Sequence, residues 1–343
     1  MNAGDSLAAI SQRVTAVAVC VLPFAADAVG QHDQWPMFQR YATHRGQVGV
    51  DGPDDTPYWQ QALSRAVTRS SPTIDDDLVF VVDSRPVVSG SQTWPLDALW
   101  WYDGSVAWSI DTLGPCKMTP AVAGGRVFVA NQLGDVIAFE LSDRSIAWFR
   151  NYADEDIAAV TVVAGKLYFP YQHYLRSLDA GDGSDRWQFE TGTWYGTAST
   201  GHMARSPGSE GKVWSAPAVA QGYVVIGCEN GRIYAVDENK SGNREYLWSS
   251  PLHSSGQDRA VFGSAAIDGD LVFVGGDGHF AYAFDLLADV HGDGLDNDAN
   301  GVPDDEGEVL WSYDAGEKIR CTPAVGGGRV VFTTVTDRLF CLD

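Results

Sequence analysis

Residues 214–248 read WSAPAVAQGYVVIGCENGRIYAVDENKSGNREYLW and contain the repeating unit that decides the fold. Four short segments within this stretch are rich in β-branched and aromatic residues, and apolar positions alternate with polar ones. Each gap between the segments carries Gly, Asn or Asp, the residues of tight turns. The stretch therefore predicts four antiparallel strands, the last of which carries Trp248.

The same unit recurs along the chain, starting again at Ser71, Thr119, Ala159, Ser264 and Thr322. The last copy stops after three strands, whereas residues 58–63 resemble a tryptophan strand with no unit before it. Because an unpaired sheet edge promotes aggregation, we expect this N-terminal strand to complete the C-terminal sheet. The tryptophans of the fourth strands are then Trp59, Trp108, Trp148, Trp187, Trp248 and Trp311.

The spacing of these tryptophans predicts the architecture. Successive spacings are 49, 40, 39, 61 and 63 residues, and the shorter ones match one four-stranded propeller blade. The predicted fold is all-β, a single β-propeller of about six four-stranded blades whose ring is closed by the N-terminal strand. A flat ring on each outer strand can pack over the turn of a neighbouring blade, so we interpret these tryptophans as structural.

Charge restricts the partners. The formal net charge is −22, so the chain repels phosphate, and we exclude nucleic acid and anionic membrane surfaces as ligands. Small cations are the natural counterpart of such a chain. Cys116, Cys228, Cys321 and Cys341 form no CxxC pair, and we interpret them as small core residues of strands.

The N-terminus has the pattern of an export signal. Arg13 precedes an apolar run over 14–25, and Ala26-Asp27-Ala28 supplies a small-x-small cleavage pattern. We therefore predict a signal peptide over 1–28, a propeller over 29–343 and a secreted or periplasmic location. A helical N-terminal arm is the alternative, and lipidation of Cys20 stays open although its lipobox is poor. We expect no transmembrane segment in the mature chain, and a monomer.

A resemblance to the quinoprotein-like, or PQQ-like repeat, β-propeller family rests on the repeat itself. Its motif appears in Ala235-Val236-Asp237 through Gly242 to Trp248 and in SLDAGDGSDRW at 177–187, and the likeness covers about 31–343. The family includes dehydrogenases that use pyrroloquinoline quinone (PQQ) and non-enzymatic scaffolds, among them a propeller lipoprotein that assists outer-membrane barrel assembly. The resemblance therefore implies the fold but leaves the function open.

Catalysis is the minority hypothesis. A PQQ-dependent dehydrogenase would imply eight blades, a longer chain, Ca²⁺ in the central funnel and often adjacent cysteines, none of which the sequence offers. The seven histidines are scattered, and no nucleophile elbow or phosphate loop is present. We expect a non-catalytic binding or scaffold protein, with a PQQ-dependent oxidoreductase and an outer-membrane protein assembly scaffold as the alternatives.

An acidic insertion over 286–307 interrupts the repeat. Oxygen ligands at every second residue with a Gly at the turn suit Ca²⁺, and the segment resembles the Asp-rich calcium loops of thrombospondin type 3 and dockerin-like repeats. Gly307 stands where an EF-hand has its closing Glu, and a solvated acidic loop is the alternative. The predicted ligands are Asp289, Asp293, Asp296, Asp298, Asn300, Asp304 and Asp305.

Two long loops are expected on one face of the propeller. Strand order places the loops between second and third strands, and from a fourth strand to the next blade, on the same side, here called the second face. Loops 83–98 and 191–213 fall there, and exposed aromatics with Arg are typical of binding hot spots. The predicted binding residues, for a protein or saccharide ligand, are Arg85, Trp94, Trp194, Tyr195, His202 and Arg205. Self-packed loop aromatics are the alternative.

Overall fold

The fold was examined in a computed structural model. It describes residues 59–61, 70–82, 93–116, 118–152, 157, 159–192, 194–195, 204–205, 211–238, 248–251, 260–287 and 309–343. The predicted signal peptide and the acidic residues 289–305 lie outside these ranges, so the predictions made for them stay predictions. Within the described ranges the chain is all-β, and no helix is long and apolar enough to cross a membrane.

The first three blades are four-stranded antiparallel sheets, each with its strands in chain order. Their strands are β1 (Thr73–Asp75), β2 (Leu78–Val82), β3 (Pro95–Trp100) and β4 (Val106–Asp111) in blade 1; β5 (Ala121–Ala123), β6 (Arg126–Ala130), β7 (Asp135–Glu140) and β8 (Ile146–Asn151) in blade 2; β9 (Thr161–Val163), β10 (Lys166–Tyr171), β11 (Tyr174–Asp179) and β12 (Asp185–Glu190) in blade 3.

A two-stranded hairpin, β13 (Trp194–Tyr195) and β14 (Ala204–Arg205), follows blade 3, and the remaining sheets again keep chain order. Their strands are β15 (Ala218–Ala220), β16 (Tyr223–Gly227), β17 (Arg232–Asp237) and β18 (Trp248–Pro251) in blade 4; β19 (Ala266–Asp268), β20 (Leu271–Gly275), β21 (Phe280–Asp285) and β22 (Val309–Asp314) in blade 5; β23 (Ala324–Gly326), β24 (Arg329–Thr333) and β25 (Leu339–Leu342) in blade 6.

The short first strand lies at one edge of each sheet, and in blades 1, 3 and 4 this strand or the residue before it bonds to the next blade. Thr73 donates its hydroxyl to the carbonyl oxygen of Pro120 at 2.6 Å, and Thr161 donates to Pro217 at 2.8 Å. Further round the ring, the Ser264 hydroxyl accepts the backbone N–H of Ala216 at 2.7 Å. Because these bonds join strands far apart in sequence, they fix the blades radially around a common centre. The all-β propeller predicted from the repeat is confirmed.

The predicted tryptophan positions are confirmed for the fourth strands of blades 1 to 5. Each of these tryptophans lies opposite a small residue of the third strand, in the pairs Ala98–Trp108, Ala138–Trp148, Ser177–Trp187, Ala235–Trp248 and Ala283–Trp311. A small partner leaves room for the large ring on that side of the sheet. Trp148 and Trp187 are buried, as expected for structural residues.

The core lies between the blades. Side chains of blades 1 and 2 form one buried cluster around Phe80 and Ile137, and blades 2, 3 and 4 share another around Phe128 and Tyr168. Blades 4 and 5 pack around Phe284, and blades 5 and 6 around Phe332. Apolar faces on both sides of each sheet explain the nearly continuous apolar runs of the second and third strands.

The part of the predicted N-terminal closing strand that the structure describes does not form a strand. Of residues 58–63, the structure describes 59–61, and these lie in no strand. Blade 6 accordingly has three strands among the described residues. The side chain of Trp59 is nevertheless held against blade 1, where it donates to the carbonyl oxygen of Trp101. A total of six blades closed by the N-terminal segment therefore stays a prediction.

Candidate functional site: the mouth of the central channel

The inner ends of five blades surround a cavity of about 370 Å³. This volume falls within the usual range of small-ligand pockets, near its lower end. Blades 2 to 6 each contribute to the wall, so the cavity lies in the central channel rather than between two blades. Its lining residues are Met118, Thr119, Ala159, Trp214, Ala216, Phe262, Gly263, Ser264, Arg320, Cys321 and Thr322.

A repeated backbone bond places one end of this cavity on the second face. In four blades a residue of the turn between the second and third strands donates its N–H to the segment that enters the first strand, as Gln132 does to Pro115 in blade 2. In blades 4, 5 and 6 the bonds run from Glu229 to Lys212, from Asp277 to Ala260 and from Val335 to Lys318, at 2.9–3.0 Å.

Two residues after each acceptor of blades 4, 5 and 6 comes a side chain of the lining, namely Trp214, Phe262 or Arg320. These three therefore occupy the same repeat position in blades 4, 5 and 6. Together with Lys212 and Lys318 they are called the channel mouth.

A belt of small residues lies directly inside the channel mouth. Thr119, Ala159, Ala216, Ser264 and Thr322 each stand two residues before the first strand of their blade. The hydroxyl of Thr119 accepts the backbone N–H of Ser71 at 3.0 Å, and that of Thr322 accepts the N–H of Ser264 at 3.3 Å. Because these hydroxyl groups bond neighbouring blades to each other, we expect the larger residues of the channel mouth to contact a ligand.

Arg320 is the principal cationic group of the channel mouth. Its Nε and Nη2 donate to the two carboxylate oxygens of Asp277 at 2.8 and 2.6 Å, and Lys318 Nζ lies 3.4 Å from the same carboxylate. The Asp277 side chain is 4 % exposed, whereas that of Arg320 is 49 % exposed. A buried carboxylate therefore fixes the guanidinium by a two-point bond and leaves part of it facing solvent.

The electrostatics of this group favour the ion pair. Burial by itself would raise the pKa of Asp277, but hydrogen bonding and charge from Arg320, followed by Lys318, outweigh burial and lower it. Asp277 is therefore ionised at neutral pH. Two cations, Lys318 and Arg320, thus share this one buried carboxylate.

Aromatic rings form the apolar part of the channel mouth. The Arg320 guanidinium carbon lies 4.8 Å from the centre of the Phe262 ring, within the range of a cation–π contact. Trp214 donates its indole N–H to Glu229 at 2.9 Å, and Lys212 Nζ lies 5.7 Å from the centre of the Trp214 ring. Both rings are half-buried. Each ring is thus held by a charged neighbour with part of its surface facing the channel.

The long loop 191–213 leads directly to Trp214, and its ends are tied together. The Thr191 hydroxyl donates to the carbonyl oxygen of Gly211 at 2.8 Å. The buried Tyr234 hydroxyl accepts the N–H of Gly192 at 2.9 Å and donates to its carbonyl oxygen at 3.1 Å. Burial raises the pKa of Tyr234, so the hydroxyl keeps its proton. The loop therefore leaves and rejoins the propeller at one fixed point beside the channel mouth.

The structure describes some of the binding residues that were predicted on the two long loops. Trp194 and Tyr195 pair with Arg205 and Ala204 in the β13–β14 hairpin, a sheet that the sequence analysis did not predict. Trp94 is half-buried, and its carbonyl oxygen accepts the N–H of Thr112 at 2.8 Å. Arg85 and His202 lie outside the described residues. Trp94, the one of these residues whose side chain the structure describes, does not line the cavity. The binding role of all six residues stays a prediction.

Sequence reasoning did not select Trp214, Phe262 or Arg320. A signal was present, because each stands two residues before the small residue (Ala216, Ser264 or Thr322) that precedes the first strand, in WSAPAV, FGSAAI and RCTPAV. The flanking positions are nearly constant between copies, whereas this position varies in size and charge. Because the fold tolerates different side chains at this position of the repeat, the residues that occupy it can contribute to ligand recognition.

The described residues of the same channel offer few ligands to a metal ion or a cofactor. The described residues contain no group of three or more His, Cys, Asp or Glu side chains able to hold a metal ion. Ca²⁺ takes six to eight oxygen ligands, with carboxylates prominent among them. The described channel lining contributes no carboxylate, and Asp277 beside it is engaged by Arg320 and Lys318. The residues present do not fit a quinone–Ca²⁺ pair.

Fold and site together define a β-propeller of quinoprotein-like repeats whose channel has a cationic and aromatic mouth on its second face. Comparison with known sequences identifies the family. Residues 44–287 match the family described as "Outer membrane protein assembly factor BamB", and the chain belongs to that family. A BamB of Moranella endobia (strain PCIT) is 23 % identical over 281 residues, covering 79 % of this chain and 63 % of that protein. The chain thus spans less than two thirds of the curated relative.

Solved structures show the same fold. BamB from Moraxella catarrhalis superposes with a TM-score of 0.53 at 13 % identity, covering 83 % of this chain and 84 % of the other. The quinohaemoprotein alcohol dehydrogenase ADHIIG from Pseudomonas putida HK5 gives a TM-score of 0.59 at 18 % identity, covering 82 % of this chain and 48 % of the enzyme. At these identities the likeness shows the fold alone.

Proposed function

We propose that this chain is an exported, non-catalytic propeller that holds a polypeptide partner on its second face and assists the assembly of outer membrane proteins. Family membership supports the proposal, since the family carries the description of an outer membrane protein assembly factor. The location in the periplasm is part of the proposal, as is cleavage of residues 1–28. Of the two ligand classes expected from the sequence, protein is favoured over saccharide.

The observation that carries this proposal is the composition of the channel mouth. Trp214, Phe262 and Arg320 stand side by side on neighbouring blades, and all three line one cavity. Tryptophan and arginine are enriched in the few residues that dominate the energy of protein–protein interfaces. Arg320 is held by its ion pair, Trp214 by a hydrogen bond and Phe262 by its contact with the guanidinium, so little conformational entropy is lost when a partner binds.

Two further features belong to the proposal. We propose that the loop 289–305 binds Ca²⁺ and stabilises the part of blade 5 between β21 and β22. We also propose that loops 83–98 and 191–213 extend the binding surface around the channel mouth. In this arrangement the metal lies on the opposite face from the partner, because the insertion joins a third strand to a fourth one.

The proposal is tested in a host that encodes the chain. The chromosomal copy is deleted, or replaced by a variant with Trp214→Ala and Arg320→Ala. We expect both strains to contain less folded outer membrane β-barrel protein, measured by heat-modifiable mobility on gels. Arg329→Ala is the matched control, because Arg329 is an exposed arginine of blade 6 paired with Asp343 on the other face. Normal levels of folded protein in the deletion strain would refute the proposal.

The competing function is a quinone-dependent oxidoreductase, as in the alcohol dehydrogenases of similar fold. Purified protein is supplied with PQQ and Ca²⁺, and dye-linked oxidation of alcohols is measured. We expect no turnover, because the described channel lining offers no carboxylate to the metal. Sustained turnover that requires both additions would replace the scaffold proposal with an enzymatic one.

A further inference from the structure

We propose that Leu113 and Leu133, here called the leucine pair, bind large apolar side chains of an extended segment of the polypeptide partner. The inference deepens the proposed function and rests on it, because it names a second contact of the same partner beside the channel mouth. Each of the two side chains is 42 % exposed. Leu113 belongs to the connection between blades 1 and 2, and Leu133 to the turn between β6 and β7, so both lie on the second face.

Leu113 has a backbone conformation that is unfavourable for leucine. Its φ is 61°, and it is the one large apolar residue among the described non-glycine residues with positive φ. In blades 1, 3 and 5 the residue after the fourth strand donates its N–H to the residue before the third strand, at 2.8–2.9 Å. The next residue is Leu113, Gly192 or Gly316, and the two glycines have φ of 141° and 71°. Glycine adopts such a φ without a steric clash, so leucine at this position lowers the stability of the fold.

Leu133 is also an exception within the repeat. In four blades the turn between the second and third strands is closed by the same backbone bond, which runs from the N–H of Asn131 to the carbonyl oxygen of Asp135 in blade 2. Two residues after the donor, blades 4, 5 and 6 have Asn230, Gly278 and Thr336. The turn therefore forms without a large apolar residue, and folding does not account for the leucine.

Hydrogen bonds maintain the unfavourable conformation of Leu113. Asp111 Oδ1 accepts the N–H of Leu113 at 3.0 Å and the N–H of Trp94 at 3.1 Å. The Thr112 hydroxyl donates to the carbonyl oxygen of Trp94 at 2.8 Å. Backbone strain that the surrounding structure maintains is found mainly at functional sites. The same bonds place the backbone of the half-buried Trp94 beside Leu113.

A second set of contacts joins the two leucine turns. Asn131 Oδ1 accepts the N–H of Leu133 at 2.9 Å, and Asn131 Nδ2 donates to the carbonyl oxygen of Thr112 at 3.1 Å. Leu133 Cδ1 lies 3.0 Å from the place that a Cβ on Gly114 would take, and Gly114 follows Leu113 in the chain. The two exposed side chains are thus held close together, so little conformational entropy is lost when they bind a partner.

An extended polypeptide segment is favoured as the occupant of the leucine pair. A second copy of this chain carries the same formal net charge of −22, so the two copies repel each other. The connection that contains Leu113 also contains Met118, which lines the cavity at the channel mouth. Five residues of chain span at most about 18 Å, and an extended segment of five or six residues covers that distance. One segment of the partner can therefore contact the channel mouth and the leucine pair together.

A synthetic decapeptide tests the inference on the whole wild-type protein. The peptide is fluorescent, has blocked ends and alternates Leu with Ser or Gln, so it is neutral and has one apolar face when extended. Binding is followed by fluorescence anisotropy. We expect binding that added salt does not weaken, because the contacts are apolar. Replacement of every Leu of the peptide by Ala should weaken binding at least tenfold.

Variants assign the binding to the leucine pair by installing residues that other blades have. Leu113→Gly and Leu133→Asn should each weaken binding of the decapeptide about fivefold or more, as expected for residues that dominate an interface. Leu113→Gly should melt at or above the temperature of the wild type, because glycine suits the positive φ. Its loss of binding then does not come from unfolding. Leu271→Asn, at an exposed leucine of β20 on the opposite face, is the matched control and should leave binding unchanged.

The outcomes separate the leucine pair from the proposed function. Absence of decapeptide binding, or equal affinities of the wild type, Leu113→Gly and Leu133→Asn, would overturn the assignment. A melting temperature of Leu113→Gly well below that of the wild type would also overturn it, by giving the leucine a structural role. A dimer in analytical ultracentrifugation that Leu113→Gly abolishes would replace the partner by a second copy. A deletion strain without phenotype would refute the proposed function while leaving measured peptide binding intact.

Discussion

Trp59 donates its indole N–H to the carbonyl oxygen of Trp101 at 2.6 Å, and its ring covers Gly104 in the turn between β3 and β4. The same relationship joins blade 2 to blade 3, where Trp148 donates to Ala180 at 3.0 Å and covers Gly183. A Cβ added at Gly104 or at Gly183 would lie 2.7 Å from Cδ2 of the covering tryptophan.

In blade 2 the covering tryptophan belongs to the fourth strand. Trp59 therefore holds the place that the fourth-strand tryptophan of a blade preceding blade 1 would hold. In a closed ring that blade is blade 6, whose described strands number three. The contact supports the predicted closure of the ring, although residues 59–61 lie in no strand.

We predict that Trp59→Ala destabilises the whole propeller. Loss of a half-buried tryptophan ring costs about 2–4 kcal/mol, and here the loss falls where the N-terminal segment contacts blade 1. The free energy of unfolding is measured by urea titration. Tyr102→Ala, which removes an exposed ring next to the same turn, is the control and should cost well under half as much. A stability of Trp59→Ala equal to that of Tyr102→Ala would argue against closure through this residue.

Arg144→Gly is predicted to stabilise the protein. Arg144 has a φ of 67° at the turn position where blades 1 and 3 have Gly104 and Gly183, with φ of 72° and 71°. A left-handed conformation costs a non-glycine residue about 1–2 kcal/mol, and glycine avoids this cost. Part of the gain is offset because glycine loses more conformational entropy on folding. We expect the free energy of unfolding, measured by thermal unfolding, to rise by about 0.5–1 kcal/mol. Gly183→Ala is the opposite control and should destabilise, because Trp148 occupies the space that its Cβ would need.

Tyr234→Phe should loosen the attachment of loop 191–213. The change leaves the buried Gly192 N–H and the Asn230 side chain without the hydroxyl that they contact at 2.9 and 2.6 Å. A loss of about 1–3 kcal/mol is expected, together with faster proteolysis within the loop. Tyr313→Phe, at an exposed tyrosine, is the control. An unchanged cleavage rate in Tyr234→Phe would show that Thr191 and Gly211 hold the loop unaided.

The Asp277–Arg320 pair predicts a specific pH dependence. The pKa of Asp277 is lowered in the folded protein, below the value of about 3.9 expected in the unfolded chain. The stabilisation is therefore present above about pH 4 and is lost as the pH falls through the folded pKa. The melting temperature of Asp277→Asn should lie below that of the wild type at pH 7, and the gap should close as the pH falls through the lowered pKa of Asp277. A gap independent of pH would mean that the carboxylate charge contributes nothing.

Calcium binding by the loop 289–305 remains to be tested. We predict a weak site, with a Kd on the order of 10⁻⁴–10⁻³ M as in extracellular modules, because Gly307 supplies no closing carboxylate. Binding to the folded state alone adds about 2.7 kcal/mol of stability at a hundredfold excess of Ca²⁺ over Kd. Calorimetric titration of the wild type, Asp296→Ala and Asp298→Ala measures it. Heat that is unchanged in both variants would identify the segment as a solvated acidic loop.

Sequence reasoning reached the fold because the repeat is local. Alternation within each strand, turn residues between strands and a tryptophan opposite a small residue can all be recognised within about 40 residues, the length of one blade. Sequence reasoning predicted a binding surface on two long loops, one of which contains Trp94 and the other of which is the segment 191–213. The short hairpin β13–β14 was missed because its strands have two residues each and carry no alternation.

The amino-acid sequence by itself determined that this protein is a propeller of four-stranded blades and where the outer tryptophans of blades 1 to 5 lie. Only the tertiary structure decided the channel mouth. Trp214, Phe262 and Arg320 are 48 and 58 residues apart in the chain, and each occurs in a connection between blades without a motif of its own. They become neighbours because the ring places equivalent positions of successive blades side by side. The side chain that fixes Arg320, Asp277, belongs to a different blade, so a single repeat examined alone does not contain the site.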